Sequence, residues 1–294
     1  MDTKFKGIYS AIFSVYDDNA DVKKETVRKM VDFQLDGGLK GFYVCGNTGE
    51  CTILPEKTRK QMLETVVEAN NGRGQIIAHI GAGHYDETKR LLEHANSLEI
   101  DAVASLPPSL TSYYGLQDTL EYYRELARIS KVPVFAYITP VLRGNPVKFA
   151  EELIKIPNIA GIKLTISDYY AFGGITALND GTVNVLNGPD ETMICGLSLG
   201  AQGAIGTTYN FAPKLACTIY NSFQRGDMQT ALTAQRKLNK IINIALGNSI
   251  AYWKAILGLR GFDMGSTLFP GKNISSEEML KLEEMLKEVG YFED

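Results

Sequence analysis

Eight times between residues 7 and 210, a short run of β-branched and aromatic residues gives way to a longer stretch whose apolar side chains recur at helical spacing. The short runs are "GIYSAIFSVY" (7–16), "GFYVCGN" (41–47), "QIIAHIG" (75–81), "DAVASLPP" (101–108), "VPVFAYIT" (132–139), "AGIKLT" (160–165), "VNVLNG" (183–188) and "GAIGTTYN" (203–210). They are apolar almost throughout rather than alternating, which asks for strands covered on both faces. Helical stretches between them, such as "PEKTRKQMLETVVEANN" and "GLQDTLEYYRELARISK", supply the long crossovers that parallel strands need. Eight such units predict an α/β fold, a closed (β/α)8 (TIM) barrel. A doubly wound open sheet is the alternative, because periodicity does not show closure.

After residue 210 the pattern changes to helices alone. One completes the eighth unit and the rest form a C-terminal helical extension. The expected division is a catalytic barrel over 1–227 and helices over 228–294 packed on it as the same structural unit. No Pro/Gly/Ser linker marks a separate domain.

Composition narrows the function. The chain has 294 residues, 45% of them apolar, and a net charge of −4 with acids and bases interspersed. That predicts no nucleic-acid partner and no membrane partner. The N-terminal stretch "MDTKFKGIYSAIFSVYDD" is too quickly acidic for a signal peptide. Cys45, Cys51, Cys195 and Cys217 show no CxxC spacing, and His79, His84 and His94 are not grouped with them. Free thiols in a cytoplasmic protein with no metal are the expectation.

In a barrel of this type the chemistry collects where strands end at their C-termini. "AGIKLTISD" places Lys163 there, between Ile162 and Leu164, although an unpaired buried charge is costly. Two readings stay open: a lysine paired with an acid such as Asp168 or Glu191, or an amine nucleophile that forms a Schiff base. Tyr137, on the neighbouring strand, is either one packed tyrosine among 15 or a proton carrier. "GNTGE" (46–50) is either a plain turn or a small anion nest with the Thr48 hydroxyl, suited to a carboxylate.

Together "GNTGE", "AYITP", "GIKLT", "NGPDE" and "GAIGTTYN" occur in an order and spacing that resembles the N-acetylneuraminate lyase and dihydrodipicolinate synthase superfamily, over essentially the whole chain. The lyase branch fits better. Position 47 is Asn rather than a second threonine, and Leu142 stands five residues after Tyr137, with Arg143 one later. The resemblance implies a lysine-dependent class I aldolase on a (β/α)8 barrel, a homotetramer with no cofactor, cleaving N-acetylneuraminate to pyruvate and N-acetylmannosamine. It makes Lys163 the Schiff-base lysine and Tyr137 the proton carrier. Asn47, through its amide, and Thr48 would hold the carboxylate of pyruvate. Thr165, Gly188, Asp190, Glu191 and Thr207 would bind the sugar tail.

Three departures bear on the substrate. Asn47 replaces a serine, Pro189 removes a backbone donor, and Leu110 stands where the family often places a tyrosine lent to the neighbouring subunit, a role that Tyr113 or Tyr114 would then fill. Another pyruvate-dependent aldolase, for a 2-keto-3-deoxy sugar acid or of the dihydrodipicolinate synthase kind, is the alternative. A barrel that binds keto acids without turning them over is the remaining one.

Overall fold

The computed structural model describes residues 5–108, 115–140, 144–245 and 250–293. Leu110, Tyr113, Tyr114, Leu142 and Arg143 lie outside the described residues. Eight strands pair in chain order and the last pairs with the first, closing a parallel barrel: β1 (Gly7–Ala11), β2 (Gly41–Val44), β3 (Gln75–His79), β4 (Ala102–Ser105), β5 (Val134–Ile138), β6 (Ile159–Leu164), β7 (Val185–Asn187) and β8 (Gly203–Gly206). Closure rests on the β1–β8 ladder, where Gly7 to Ser10 pair with Gly203 to Gly206. The open-sheet alternative is thereby set aside.

Strand alternation explains the apolar runs. On β6, Ile162 and Leu164 join the outer core beneath the helices, together with Phe42 and Val44 of β2 and Val134 and Ala136 of β5. The intervening side chains point into the barrel, where Tyr9, Tyr43, Ile77, Phe135, Leu186 and Ile205 form a second, inner core. Lys163 is therefore an inward residue between two outward ones, and its surroundings are those of the barrel mouth.

The helices are α1 (Lys24–Asp36), α2 (Glu56–Asn70), α3 (Tyr85–Ala95), α4 (Leu116–Ile129), α5 (Pro146–Leu153), α6 (Tyr169–Thr176), α7 (Leu178–Gly181), α8 (Met193–Ser198) and α9 (Pro213–Gln224). Beyond the eighth unit come α10 (Met228–Ala245), α11 (Ile250–Gly258) and α12 (Ser276–Glu288). Local chemistry sets several starts. Asn145 caps α5 by accepting from the amides of Val147 and Lys148, with Pro146 at the first helical position. Ser275 and Glu278 form a capping box on α12. Asp168 caps α6 by accepting from Ala171 N–H at 3.0 Å. Asp168 is exposed, whereas Lys163 is buried, and the two form no ion pair, one of the two readings open from sequence.

Candidate active site

Lys163 and Tyr137 are direct neighbours across the β5–β6 ladder, in register. Both are buried. Nζ of Lys163 lies 4.3 Å from the centre of the Tyr137 ring and 4.2 Å from that of Tyr43 on β2. The two rings are 6.3 Å apart and nearly perpendicular, at 82°, so Nζ occupies the corner they form. Among the described residues, Lys163 makes no ion pair with a carboxylate. The faces of the two phenols are what stand beside its charge.

Tyr43 was not singled out from the sequence. It is fully buried, its hydroxyl has no hydrogen-bond partner among the described residues, and burial pushes its phenol well above the ordinary range. His79 stands behind it, ring centres 5.8 Å apart. The carbonyl of Cys45 contacts His79 Nδ1 at 3.0 Å, and the amide of Leu106 contacts Nε2 at 3.1 Å. A carbonyl only accepts and an amide only donates, so Nδ1 carries the proton and the imidazole is neutral. Burial, aided by the charges of Arg59 and Lys163, holds its pKa well below the usual histidine value.

The loop after β2 brings Thr48 to the mouth. Its Oγ1 is 2.6 Å from Oγ1 of Thr207, after β8. The two threonines were expected in separate subsites, and the barrel's closure brings them into contact. Asn47 is exposed, and its Oδ1 accepts weakly from the Cys51 thiol at 3.5 Å. Glu50, at the end of the loop, turns inward with a positive φ of 60°. Its carboxylate accepts from Tyr16 OH at 2.6 Å and pairs with Lys254 of α11 at 2.5 Å.

The turn after β7 carries the two acids, and they differ. Asp190 is buried, and its Oδ2 accepts from both the amide and the hydroxyl of Thr208 at 2.7 Å. Its Oδ1 lies against Gly206, where a Cβ would come within 2.0 Å. Burial raises its pKa from 3.8 to about 6, against the two Thr208 hydrogen bonds, which favour the ionised form. Glu191 is exposed. The turn is held from α10, where Gln235 donates to the Asp190 carbonyl and Asn239 to that of Glu191, both at 3.0 Å. The Gly188 amide donates to Leu164 at 2.8 Å, and Thr165 Oγ1 is buried without a partner among the described residues.

Six of the residues singled out from sequence, Thr48, Thr165, Gly188, Asp190, Glu191 and Thr207, line one cavity of about 480 Å³. Asn47 and Tyr137 line a neighbouring one of about 580 Å³. Lys163 itself lines neither cavity. Fold and site together define a (β/α)8-barrel protein with an inward-facing lysine buried between two phenols.

Residues 4–289 match the dihydrodipicolinate synthetase family, and the chain belongs to that family. It is an enzyme of the family's carbon–carbon lyase kind. The N-acetylneuraminate lyase of Rhizobium meliloti is 32% identical over 291 residues, covering 97% of this chain and 96% of that protein. The N-acetylneuraminate lyase of Mus musculus is 29% identical over 300 residues, covering 98% and 93%. Among solved structures, the N-acetylneuraminate lyase of Aliivibrio salmonicida superposes with a TM-score of 0.92 at 27% identity, covering 99% of this chain and 98% of that one.

Proposed function

We propose that the chain is a Schiff-base aldolase that cleaves N-acetylneuraminate to pyruvate and N-acetylmannosamine. The observation that carries the chemistry is the in-register pair of Tyr137 and Lys163, with no carboxylate paired to the amine among the described residues. The choice of substrate is supported by the relatives that bear that activity in their names and by the six polar-loop residues gathered on one cavity wall.

In this reading the open-chain sugar acid enters with its carboxylate against the Thr48 hydroxyl and the Asn47 amide. The neutral amine of Lys163 attacks the ketone carbon. The oxygen takes up two protons and leaves as water, and a protonated imine remains on Nζ. Tyr137 relays the proton of the C4 hydroxyl away. The electrons of the C3–C4 bond flow into the imine, leaving an enamine and freeing N-acetylmannosamine as the aldehyde. Protonation at C3 and addition of water then release pyruvate and restore the lysine. Holding the reacting atoms in place supplies much of the acceleration. The two phenol faces accommodate positive charge at Nζ without a counter-acid that would repel the substrate's carboxylate.

A second reading, an aldolase for a shorter 2-keto-3-deoxy sugar acid, is favoured by one observation. Both oxygens of Asp190 are turned to the 206–208 segment. That leaves Glu191 as the free acid for a long polyhydroxyl tail. Pyruvate release from a panel of sugar acids tests the choice. The first reading expects N-acetylneuraminate to have the highest kcat/KM, and a shorter acid in first place selects the second. We further propose the homotetramer that the family resemblance brings and the cytoplasmic setting that the unpaired cysteines suggest. Sedimentation showing an active monomer at working concentration would contradict the former. Among the described residues, no helix is long and apolar enough to cross a membrane.

A further inference from the structure

The loop that would hold the substrate's carboxylate is fixed at its far end by side chains from outside β2. Glu50 ends that loop, and its side chain is buried, as is that of Lys254, at 5% and 3% exposure. The pair meets at 2.5 Å. Tyr16, following β1, completes the cluster: its hydroxyl donates to the other carboxylate oxygen at 2.6 Å, and its ring lies 4.3 Å beneath the Lys254 ammonium. Ser14 adds a bond from its hydroxyl to the Gly49 carbonyl at 2.8 Å. Burial works against the charge on Lys254, and the contacts to Glu50 work for it. A buried ion pair is poor evidence of stabilisation in itself, since apolar residues of similar volume often serve as well. What it holds here is the end of the Asn47–Thr48 loop. Glu50 has left-handed backbone geometry two residues after Thr48. A residue in that conformation persists when its surroundings over-determine it.

We propose that Glu50 and Lys254 are positioning residues: through their ion pair, α11 of the C-terminal extension sets the Asn47–Thr48 loop for the substrate's carboxylate. The inference rests on the aldolase reading, in which that loop binds the keto acid. It assigns the helices after residue 227 a share in the active site, as the structural support of one of its walls. Trp253, next to Lys254 and the chain's single tryptophan, lines the 480 Å³ cavity and gives an optical signal for occupancy.

The test is pyruvate titration in the full chain, read by Trp253 fluorescence and by borohydride trapping on Lys163. The variants are Lys254→Met, Glu50→Gln and the two combined. Removing both charges together leaves no buried unpaired ion, so the double variant is expected to fold with a melting temperature close to wild type. Its half-saturating pyruvate concentration is expected to rise about ten-fold, the scale of a lost charge-assisted hydrogen bond, while trapping at saturation stays within two-fold. Tyr252→Phe, on the same helix and bonded to Glu278 instead, is expected to change neither. A double variant with wild-type melting and wild-type half-saturation overturns the positioning role. If wild type itself gives no adduct on Lys163, it is the aldolase reading that has failed. A fluorescence half-saturation that rises in the double variant would then still uphold the loop's dependence on the pair.

Discussion

Tyr137 and Lys163 face one another across two adjacent parallel strands, with the ammonium 4.3 Å from the centre of the phenol ring. Replacing Tyr137 by Phe keeps the ring beside Nζ and removes only the hydroxyl. The expected result is a fall in kcat of about two to four orders of magnitude, typical for loss of a general acid–base group. The pyruvate imine still forms on Lys163. Steady-state kinetics together with borohydride trapping check both halves, and an unchanged kcat would move the proton relay to another group.

The burial of Asp190 predicts a pH signature. Its carboxyl pKa is raised from 3.8 to about 6 in the fold, so folding favours the protonated form. The stabilisation is present in full below about pH 4 and is lost as pH rises through 6. A displacement of that size is worth about 3 kcal/mol. Asp190→Asn can still accept from Thr208 and carries no charge. Its stability relative to wild type is therefore expected to be most favourable at pH 7 and to decline towards pH 4, measured by urea unfolding. A difference that stays constant over that range would show that burial does not hold the pKa up.

Glu191, exposed at the cavity wall, is the acid free to accept from substrate hydroxyls. Glu191→Gln is expected to cost about 1.5–3 kcal/mol in kcat/KM for N-acetylneuraminate, the range for hydrogen bonds to charged groups. Pyruvate imine formation is expected to be unaffected. Comparing the ratio of kcat/KM for N-acetylneuraminate and for a shorter 2-keto-3-deoxy acid, before and after substitution, isolates the effect. Equal losses on both substrates would remove Glu191 from recognition of the tail.

The Glu50–Lys254 pair also predicts a stability effect. Lys254→Met alone leaves Glu50 buried without its partner, and breaking such a pair from one side costs about 3–5 kcal/mol. Chemical denaturation of the single variant against the Glu50→Gln/Lys254→Met double is the measurement. The double is expected to recover most of the loss, whereas equal losses in both would mean that packing rather than charge is at stake.

All eight strands were legible because a strand buried on both faces leaves a nearly continuous apolar run, and helices between such runs leave a different period. Their ends were less so. The run 7–16 stays apolar beyond Ala11 because Ile12 to Tyr16 are buried although the strand has ended, with Ile12, Phe13 and Val15 packed in the outer core. The expected eighth strand stops at Gly206 and turns into a short 3-10 segment, Thr208–Asn210. The placing of Lys163 followed from alternation once β6 was recognised. Tyr43 was inside a predicted strand, but nothing local distinguishes a tyrosine facing a lysine from one facing a leucine. The Glu50–Lys254 contact joins a loop after β2 to a helix after β8, and no sequence period reports a pairing of that range. Asp190 and Glu191 are adjacent and chemically alike, and only the close approach of Gly206 and Thr208 sets one apart from the other.

A Schiff base on Lys163 is detected by mass spectrometry of the protein after incubation with pyruvate and borohydride. The chain has another buried lysine, Lys254, so the site of labelling is informative as well as its occurrence. One reduced pyruvate adduct per chain is expected, on the peptide that contains Lys163, and is expected to disappear in Lys163→Ala. An adduct on Lys254 or any other lysine, or none at all in wild type under conditions where the protein is folded, would contradict the Schiff-base role of Lys163.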